Sequence, residues 1–272
     1  MLAAEESRVA ALALRCPACR RGALAVPPAV PLRCPECGVT YPVQDGIVDL
    51  LPADPRRWSL PRWAMEAEPI VRIYDSRLWR RSGLLHVALG ISYEREEAML
   101  LDAAQVGPGD TVLDLACGPG IYTRPLAARA SGGQVIALDL SRPMLREVAR
   151  LALANVVPVH GTALDLPLPS AACDAVNCGA ALHLFPDVPR VLAEVARVLK
   201  PGGRFTVATT LRSDGFPSEV TAAVRRRVVG MDSFTPAELT GRLADAGLRD
   251  VRVHHARRAW LVMSARKPRR ED

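Results

Sequence analysis

Two pairs of cysteines are the residues of this 272-residue chain whose types and spacing point most directly to chemistry. The pairs are Cys16-Pro-Ala-Cys19 and Cys34-Pro-Glu-Cys37, with fourteen residues between their inner members. Each C-x-x-C turn can present two thiolates, and four thiolates complete the tetrahedral shell that zinc favours. The spacing therefore predicts a structural zinc site, and its closed shell leaves no position for catalysis by the metal.

Other interpretations of the cysteines remain open at this point. Two disulfides would suit a secreted protein, but the N-terminus carries two acids and a short apolar run instead of a positively charged signal. A redox-active pair would explain one C-x-x-C motif and leave the second without a role. Cys117, Cys173 and Cys178 lie in apolar, strand-like stretches, so we expect small buried residues there and not nucleophiles.

Composition narrows the class of protein. With 49% hydrophobic and 24% charged residues, the chain can bury a sizeable core and does not read as disordered. No run approaches 18 consecutive apolar residues, so we expect no membrane span and a cytoplasmic location. Of the net charge of +6, a surplus of five lies in residues 249–272, with seven Arg and one Lys against three acids. That basic end either contacts phosphates or anionic lipid, or is a solvated edge.

From residue 110 onward, strand-like apolar runs alternate with helical patterns. Strands are predicted near 111–116, 134–139, 156–160, 173–178 and 203–210, and helices near 121–130, 141–153 and 188–199. This alternation favours a doubly wound parallel sheet with helices on both faces. Two further strands, 251–254 and 259–265, are too close in sequence for a crossover, so they predict an antiparallel hairpin.

The first of these strands leads into a glycine turn, Asp114-Leu-Ala-Cys-Gly118-Pro-Gly120. Small residues at the carboxyl end of a parallel strand allow a ligand to approach the backbone, and doubly wound folds bind nucleotides there. Asp139 closes the next strand and can accept hydrogen bonds from both hydroxyls of a ribose. These features alone also fit NAD. An acid at Asp114, however, opposes a pyrophosphate and suits a cationic amino-acid group.

Residues 106–265 resemble the class I S-adenosylmethionine-dependent methyltransferases, because five motifs stand in the order that this family uses. The motifs occupy residues 114–120, 136–145, 162–168, 181–187 and 197–203. The resemblance implies S-adenosylmethionine as cofactor and an α/β fold, a doubly wound, seven-stranded Rossmann-like sheet ending in an antiparallel hairpin. Ala116 departs from the family, since it replaces the first of the usual glycines in the cofactor loop.

The resemblance also implies which residues meet the cofactor. Asp139 would bind the ribose, and Asp165 would accept a hydrogen bond from the exocyclic amine of adenine. The other implied contacts come from the glycine turn, from the segments around the following strands and from the region before the sheet: Asp114, Ala116, Cys117, Gly118, Gly120, Leu140, Met144, Leu166, Cys178 and Tyr74. His183 follows the strand that delivers substrate-facing residues, so it is either a general base or part of the pocket wall.

The predicted organisation has three parts: a zinc ribbon at 1–53, a linker and helical lid at 54–105, and a methyltransferase domain at 106–272. Aromatic residues are concentrated in 54–105 and 211–234, which favours an apolar lid over the acceptor. The alternative is that these aromatic residues attach the ribbon to the second domain.

Two resemblances compete for the substrate. The ribbon with residues 45–52 is similar to bacterial 23S rRNA guanine-N1 methyltransferases, which implies a ribbon that helps to hold RNA. Residues 74–81 and 177–186 are more similar to ribbon-bearing methyltransferases of plants and bacteria and to small-molecule enzymes. The ribbon also has few aromatic residues for base stacking and modest charge.

We therefore expect methyl transfer to a small, largely apolar hydroxylated or carboxylated molecule, such as a secondary metabolite. The first alternative is methylation of rRNA held by the ribbon. The second is a non-catalytic protein, in which the ribbon docks a partner and the second domain only binds the cofactor.

Overall fold

The structure of the chain is a computed structural model that describes residues 13–25, 32–51, 82–212 and 230–269. Tyr74, the larger part of the predicted linker and lid, and residues 213–229 lie outside the described residues. Within the described ranges, no helix has the length and apolar character needed to cross a membrane.

The described elements follow the predicted alternation closely. In chain order they are β1 (Ala13–Arg15), β2 (Ala23–Ala25), β3 (Leu32–Arg33), β4 (Thr40–Tyr41), β5 (Val43–Gln44), β6 (Ile47–Asp49), α1 (Gly83–Leu89), α2 (Tyr93–Ala104), β7 (Thr111–Leu115), α3 (Thr123–Arg129), β8 (Gln134–Asp139), α4 (Arg142–Arg150), β9 (Val156–His160), β10 (Cys173–Gly179), a short 3-10 helix (Leu182–Leu184), α5 (Val188–Val198), β11 (Leu199–Thr210), α6 (Pro236–Asp245), β12 (Arg249–Arg257) and β13 (Trp260–Arg266).

A nine-stranded sheet forms the centre of the molecule, in the order β12-β13-β11-β10-β7-β8-β9-β6-β5. Strands β7 to β11 pair in parallel, whereas β13 runs antiparallel to both β11 and β12. The seven strands β7 to β13 confirm the predicted Rossmann-like sheet with its C-terminal antiparallel hairpin. Because β7 and β8 are neighbours, their carboxyl ends bring the glycine turn and Asp139 to one edge of the sheet.

Strands β5 and β6 extend the sheet beyond the prediction. Val48 lies opposite Val159 in a parallel pairing of β6 with β9, and β5 then pairs antiparallel with β6. These two strands fall within the predicted ribbon of residues 1–53, but they cover the edge of β9, which would otherwise expose unpaired backbone groups. The predicted boundary at residue 53 therefore does not separate two independent folds.

Helix α2 packs on the sheet. Ser92 caps it by accepting a hydrogen bond from the backbone N–H of Arg95. Its buried residues Leu100 and Leu101 join the core cluster that contains Val112 of β7. The helical prediction for this segment is confirmed, but α2 is part of the core and not of a lid, because the sheet covers its apolar stripe.

The ribbon shares its core with the sheet. Its two hairpins pair β1 with β2 and β3 with β4. Leu14 and Leu32 are buried in the same cluster as Leu166, which lies in the turn after β9. The backbone N–H of Arg15 donates to the carbonyl of Pro167 at 3.0 Å. The ribbon is therefore docked on that turn by apolar packing and by a backbone hydrogen bond.

Candidate functional site

The turn after β7 presents its backbone at the carboxyl edge of the sheet. Ala116, Gly118 and Gly120 have φ angles of 55°, 54° and 87°, a region that glycine adopts without strain. A Cβ on Gly118 would meet no atom within 4 Å, so the space over its backbone is open. A Cβ on Gly120 would lie 3.0 Å from Leu151 Cδ1. Gly118 thus gives access to the backbone, and Gly120 allows the turn to pack beside the end of α4.

Asp139 connects β8 to this turn. Its Oδ2 accepts from Gly118 N at 2.8 Å, and its Oδ1 accepts from Ser141 N at 2.7 Å. Burial raises the pKa of Asp139, although these backbone N–H groups and the charge of His160 act in the opposite direction. Each carboxylate oxygen has a second lone pair, so Asp139 can hold the turn and still accept bonds from a ligand.

Asp114 lies behind the turn in a buried hydrogen-bond network. Its Oδ2 accepts from Thr123 Oγ1 at 2.6 Å, and its Oδ1 accepts from Asn177 Nδ2 at 2.9 Å. Thr206 Oγ1 in turn donates to Asn177 Oδ1 at 3.1 Å. Burial raises the pKa of Asp114 to about 6, partly offset by the bonds from Thr123 and Asn177. The sequence analysis missed Thr123, Asn177 and Thr206; polar residues at Asn177 and Thr206 inside apolar strands were the available signal.

Several predicted cofactor contacts are enclosed by protein. The side chains of Asp114, Leu166 and Cys178 belong to residues that are at most 1% exposed. Strands β7 and β10 are central in the sheet, and Leu166 lies in its core cluster. The side chains of these three are therefore enclosed by protein, and their contacts with the cofactor stay predictions. Ala116, Gly118, Asp139 and Leu140 are partly exposed at the edge of the sheet, whereas Cys117, Gly120 and Met144 are buried beside them.

Asp165 is held by the ribbon. Its Oδ1 accepts from Arg15 Nη2 at 2.6 Å, and its Oδ2 accepts from Arg20 Nη2 at 2.8 Å. The same Nη2 of Arg15 donates to the carbonyl of Leu166 at 2.9 Å. One lone pair remains on each oxygen of Asp165, so its contact with adenine stays a prediction. The sequence analysis missed the two arginines, because nothing in an arginine-rich chain distinguishes these two from the others.

His183 lies in the 3-10 helix that follows β10 and is buried. Its Nδ1 is 3.3 Å from Thr209 Oγ1, and its ring centroid lies 6.1 Å from that of Trp260 in an edge-on arrangement. Its carbonyl accepts from Asp232 N at 2.7 Å. These contacts fix the imidazole beside the ring of Trp260. The role of His183 as a base stays a prediction.

A group of tyrosines and one buried acid joins α2 to the glycine turn. Tyr122 OH donates to Glu96 Oε1 at 2.5 Å, and the ring of Tyr93 lies 6.1 Å from that of Tyr122. The Tyr122 ring covers Gly179 so closely that a Cβ on this glycine would lie 2.2 Å from it. A glycine inside a strand often marks such a close approach, and this signal at Gly179 could have led the sequence analysis to the contact.

The four paired cysteines come together in the ribbon. All four sulfurs lie within 4.8 Å of one another, with Cys16 to Cys37 at 3.7 Å and Cys19 to Cys34 at 3.8 Å. Sulfurs on a tetrahedral zinc ion with bonds of about 2.3 Å are separated by about 3.8 Å. The four are free thiols and not two disulfides. The donor set and its spacing therefore fit a four-coordinate metal ion.

The other three cysteines are buried thiols, as predicted. Cys117, Cys173 and Cys178 are 4%, 0% and 0% exposed. Burial raises the pKa of each thiol, to about 12 for Cys173. Because the thiolate is the reactive form, none of the three has the character of a nucleophile.

Known proteins resemble this chain in sequence and in fold. A methyltransferase-domain family matches residues 113–207, which run from β7 into β11. A solved structure of a SAM-dependent methyltransferase from Aquifex aeolicus superposes with a TM-score of 0.55 at 22% sequence identity, covering 74% of this chain and 98% of that chain. At this identity the likeness shows the fold alone.

Three curated relatives extend the similarity along the chain. An uncharacterized chloroplastic methyltransferase of Arabidopsis thaliana is 28% identical over 253 residues, covering 87% of this chain and 70% of that protein. A demethylmenaquinone methyltransferase of Symbiobacterium thermophilum is 44% identical over 147 residues, covering 52% and 59%. The nocamycin O-methyltransferase of Saccharothrix syringae is 31% identical over 198 residues, covering 63% and 71%.

The first alignment must reach into residues 1–53, because the uncovered 13% of the chain is shorter than that segment. The last alignment spans most of its relative at substantial identity. With the family match and the sheet topology, these findings place the chain among the class I S-adenosylmethionine-dependent methyltransferases.

Proposed function

We propose that this chain transfers the methyl group of S-adenosylmethionine to a small, largely apolar acceptor with a hydroxyl or carboxyl group, and that its ribbon holds a structural zinc ion. The observation that carries the substrate class is the similarity to relatives named for nocamycin and for demethylmenaquinone, which are both small molecules. The zinc assignment rests on the four sulfurs and their tetrahedral spacing.

The cofactor edge is built from the turn after β7 and the acid after β8. When bound, the cofactor would supply a methyl group on a sulfonium sulfur, and this methyl group would pass to the acceptor in one in-line displacement. Gly118 offers an open backbone surface, and Asp139 accepts from the ribose hydroxyls while it fixes Gly118 N. Asp114 acts from behind, since its bond from Thr123 holds the start of α3 against the turn.

The acceptor side lies at the carboxyl end of β10. His183 is held by Thr209 and packed against Trp260, and Leu182 beside it is fully buried. In this role the imidazole accepts the proton of an acceptor hydroxyl, and the surrounding apolar residues exclude water. Alignment of the acceptor with the methyl group supplies much of the rate, so a base contributes less here than in hydrolytic enzymes.

A panel of acceptors tests the proposal. The full chain, loaded with zinc, is incubated with S-adenosylmethionine carrying a labelled methyl group and with hydroxylated naphthoquinones, phenols, aromatic carboxylic acids or an rRNA fragment. We expect label in at least one apolar hydroxylated or carboxylated compound and none in RNA, read by mass spectrometry. Transfer to RNA alone would favour the rRNA alternative, and cofactor binding without any transfer would favour the non-catalytic one.

A variant at His183 tests its part separately. His183→Gln keeps a polar side chain but removes the titratable imidazole. If His183 is the base for a hydroxyl acceptor, kcat falls by about a hundredfold, while the dissociation constant of S-adenosylhomocysteine stays the same. Unchanged kcat across the pH range would make His183 a wall residue and leave the substrate class intact.

A further inference from the structure

The turn after β9, residues 161–168, is held by two separate elements. The first is helix α5, which makes four hydrogen bonds to it. Glu194 Oε2 accepts from Leu166 N at 2.7 Å, and Arg190 Nε donates to Leu164 O at 2.8 Å. Arg197 donates to Leu168 O at 2.7 Å and to Leu166 O at 3.0 Å. Helix α5 belongs to the sheet domain, so these contacts need nothing outside it.

The second element that holds the turn is the N-terminal ribbon. Arg15 and Arg20 each bind one oxygen of Asp165, at 2.6 and 2.8 Å. Arg15 Nη2 also lies 3.8 Å from Glu194 Oε2, so it sits between the carboxylates of the turn and of α5. The side chains of Arg15 and Asp165 are each 18% exposed. An ion pair that is enclosed and hydrogen-bonded, as between Arg15 and Asp165, constrains position more than an exposed pair does. The side chain of Arg20 is 60% exposed, so its bond to Asp165 contributes less.

The proposed metal site sets the positions of both arginines. Arg15 directly precedes Cys16, and Arg20 directly follows Cys19. Arg20 has a φ of 59°, and its N–H donates to the carbonyl of Cys16 at 2.8 Å. The Cys16 N–H donates to the carbonyl of Gly22 at 2.9 Å. The backbone that carries the two guanidinium groups is therefore the turn of residues 15–22, the first knuckle, which also presents the sulfurs of Cys16 and Cys19.

We infer that Arg15 and Arg20 are positioning residues for the cofactor, which transmit the folded state of the metal-bound ribbon to the turn that faces adenine. The inference rests on the proposed function, since it assumes that the ribbon binds zinc and that residues 161–168 lie along the adenine. The two arginines do not touch the cofactor themselves. They hold Asp165, and through Asp165 they hold the turn in the conformation that binds the cofactor.

The coupling must be reciprocal. If metal in the ribbon favours the binding conformation of the turn, then a bound cofactor analogue favours the metal-bound ribbon by the same factor. Coupling through such contacts typically changes affinity by about tenfold. Because α5 still holds the turn without the arginines, we expect their loss to weaken the binding of S-adenosylhomocysteine and not to abolish it.

The experiment compares three forms of the full chain loaded with zinc: wild type, the double variant Arg15→Gln/Arg20→Gln, and the control Arg21→Gln. Arg21 is the adjacent, exposed arginine of the same knuckle, and it makes no hydrogen bond to the described residues of the turn. One readout is the dissociation constant of S-adenosylhomocysteine by calorimetry. The other is the rate of zinc release to a chromogenic chelator, with and without S-adenosylhomocysteine.

We expect the double variant to bind S-adenosylhomocysteine about tenfold more weakly, while the Arg21 variant binds as wild type does. S-adenosylhomocysteine should slow zinc release from wild type and from the Arg21 variant, but not from the double variant. Arg15→Lys/Arg20→Lys should restore part of the affinity. A melting curve and zinc content equal to wild type show that the double variant is folded. If the double variant does not fold, the inference is tested by the affinity of the Arg15→Lys/Arg20→Lys variant and by the effect of S-adenosylhomocysteine on zinc release from wild type.

Equal affinity in the double variant and the control, or zinc release from wild type that does not respond to the ligand, would overturn the inference. A wild-type protein that retains no zinc, or that binds no S-adenosylhomocysteine, would instead contradict the proposed function. The two failures are therefore distinguishable in the same experiment.

Discussion

The ribbon and the sheet are stabilised in different ways. The ribbon has four strands of two or three residues each, and its buried residues Leu14, Leu24 and Leu32 belong to the core cluster of the sheet. The sheet has nine strands with helices packed on it. A segment as short as the ribbon cannot bury enough apolar surface to fold alone. It therefore depends on docking and, in the proposed function, on a metal ion, whereas the sheet depends on its own core.

The two regions also differ in how their functional residues are spaced along the chain. In the ribbon, the paired cysteines and the arginines that contact the turn after β9 are neighbours in sequence, so the loss of one should affect the other. In the sheet, the network behind the glycine turn is built from β7, β10 and β11, which lie far apart in sequence. Variants of this network should therefore leave the ribbon largely intact, whereas ribbon variants should affect the sheet mainly through the turn after β9; the following predictions test this difference.

The largest effect is expected from loss of a metal ligand. Cys34→Ser should reduce the zinc content of the purified protein from one ion per chain to almost none, and the ribbon should become sensitive to limited proteolysis. The sheet should retain its circular dichroism, because its strands pair with one another and carry none of the four paired cysteines. Cys173→Ala, which removes a buried cysteine of the sheet, should keep the zinc. Full zinc content in the Cys34 variant would refute the four-sulfur site.

Within the sheet, Asp114→Asn should change how stability depends on pH. Because burial raises the pKa of Asp114, this acid favours the folded state most below its usual pKa of 3.8, and that contribution is lost as the pH rises through about 6. The shift corresponds to roughly 3 kcal/mol. An asparagine can keep both hydrogen bonds, since the Thr123 hydroxyl can also accept.

Urea unfolding measures this effect. The Asn variant should be more stable than wild type at pH 8, by up to roughly 3 kcal/mol, and nearly equal to it at pH 4. Taking the difference between the two proteins removes the acid sensitivity that they share through the ribbon. Asp102→Asn, on an exposed side chain of α2, serves as the control. An equal difference at both pH values would show that the charge of Asp114 is not disfavoured.

At the carboxyl edge of the sheet, Asp139→Ala should weaken the binding of S-adenosylhomocysteine by tenfold to a hundredfold, because a charge-assisted hydrogen bond contributes roughly 1.5–3 kcal/mol. Calorimetry measures the affinity, and the zinc content should not change. Since Asp139 also holds Gly118 N and Ser141 N, a melting curve establishes that the variant is folded. Unchanged affinity would exclude the assignment of Asp139 to the ribose.

The smallest effect is expected at Ala116. Its φ of 55° is unfavourable for a residue with a Cβ, so Ala116→Gly removes roughly 1–2 kcal/mol of strain. Glycine also loses about 0.5–1 kcal/mol more entropy on folding. The free energy of unfolding should therefore change by about 1 kcal/mol or less, measured in urea. A loss of several kcal/mol would mean that the alanine methyl group makes packing contacts that the turn needs.

Much of the sheet could be predicted from local pattern. Strands 111–115 and 134–139 are apolar runs that end in a glycine turn or an acid, and both form where the sequence places them. The helix caps at Ser92, Ser141 and Thr235 are local features of the same kind, because the capping side chain bonds to a backbone N–H three residues later. The paired cysteines were readable for the same reason, since each knuckle is a local turn.

The sequence by itself determined the order of strands and helices, the cysteine pairs and the glycine turn with its acid at Asp139. Only the tertiary structure decided that β6 joins β9, that Asp114 is enclosed behind the turn, and that Arg15 and Arg20 hold Asp165. The physical reason is the range of the interactions. Periodicity and capping depend on neighbours in the chain, whereas edge pairing, burial and ion pairs depend on which distant surfaces meet when the ribbon docks.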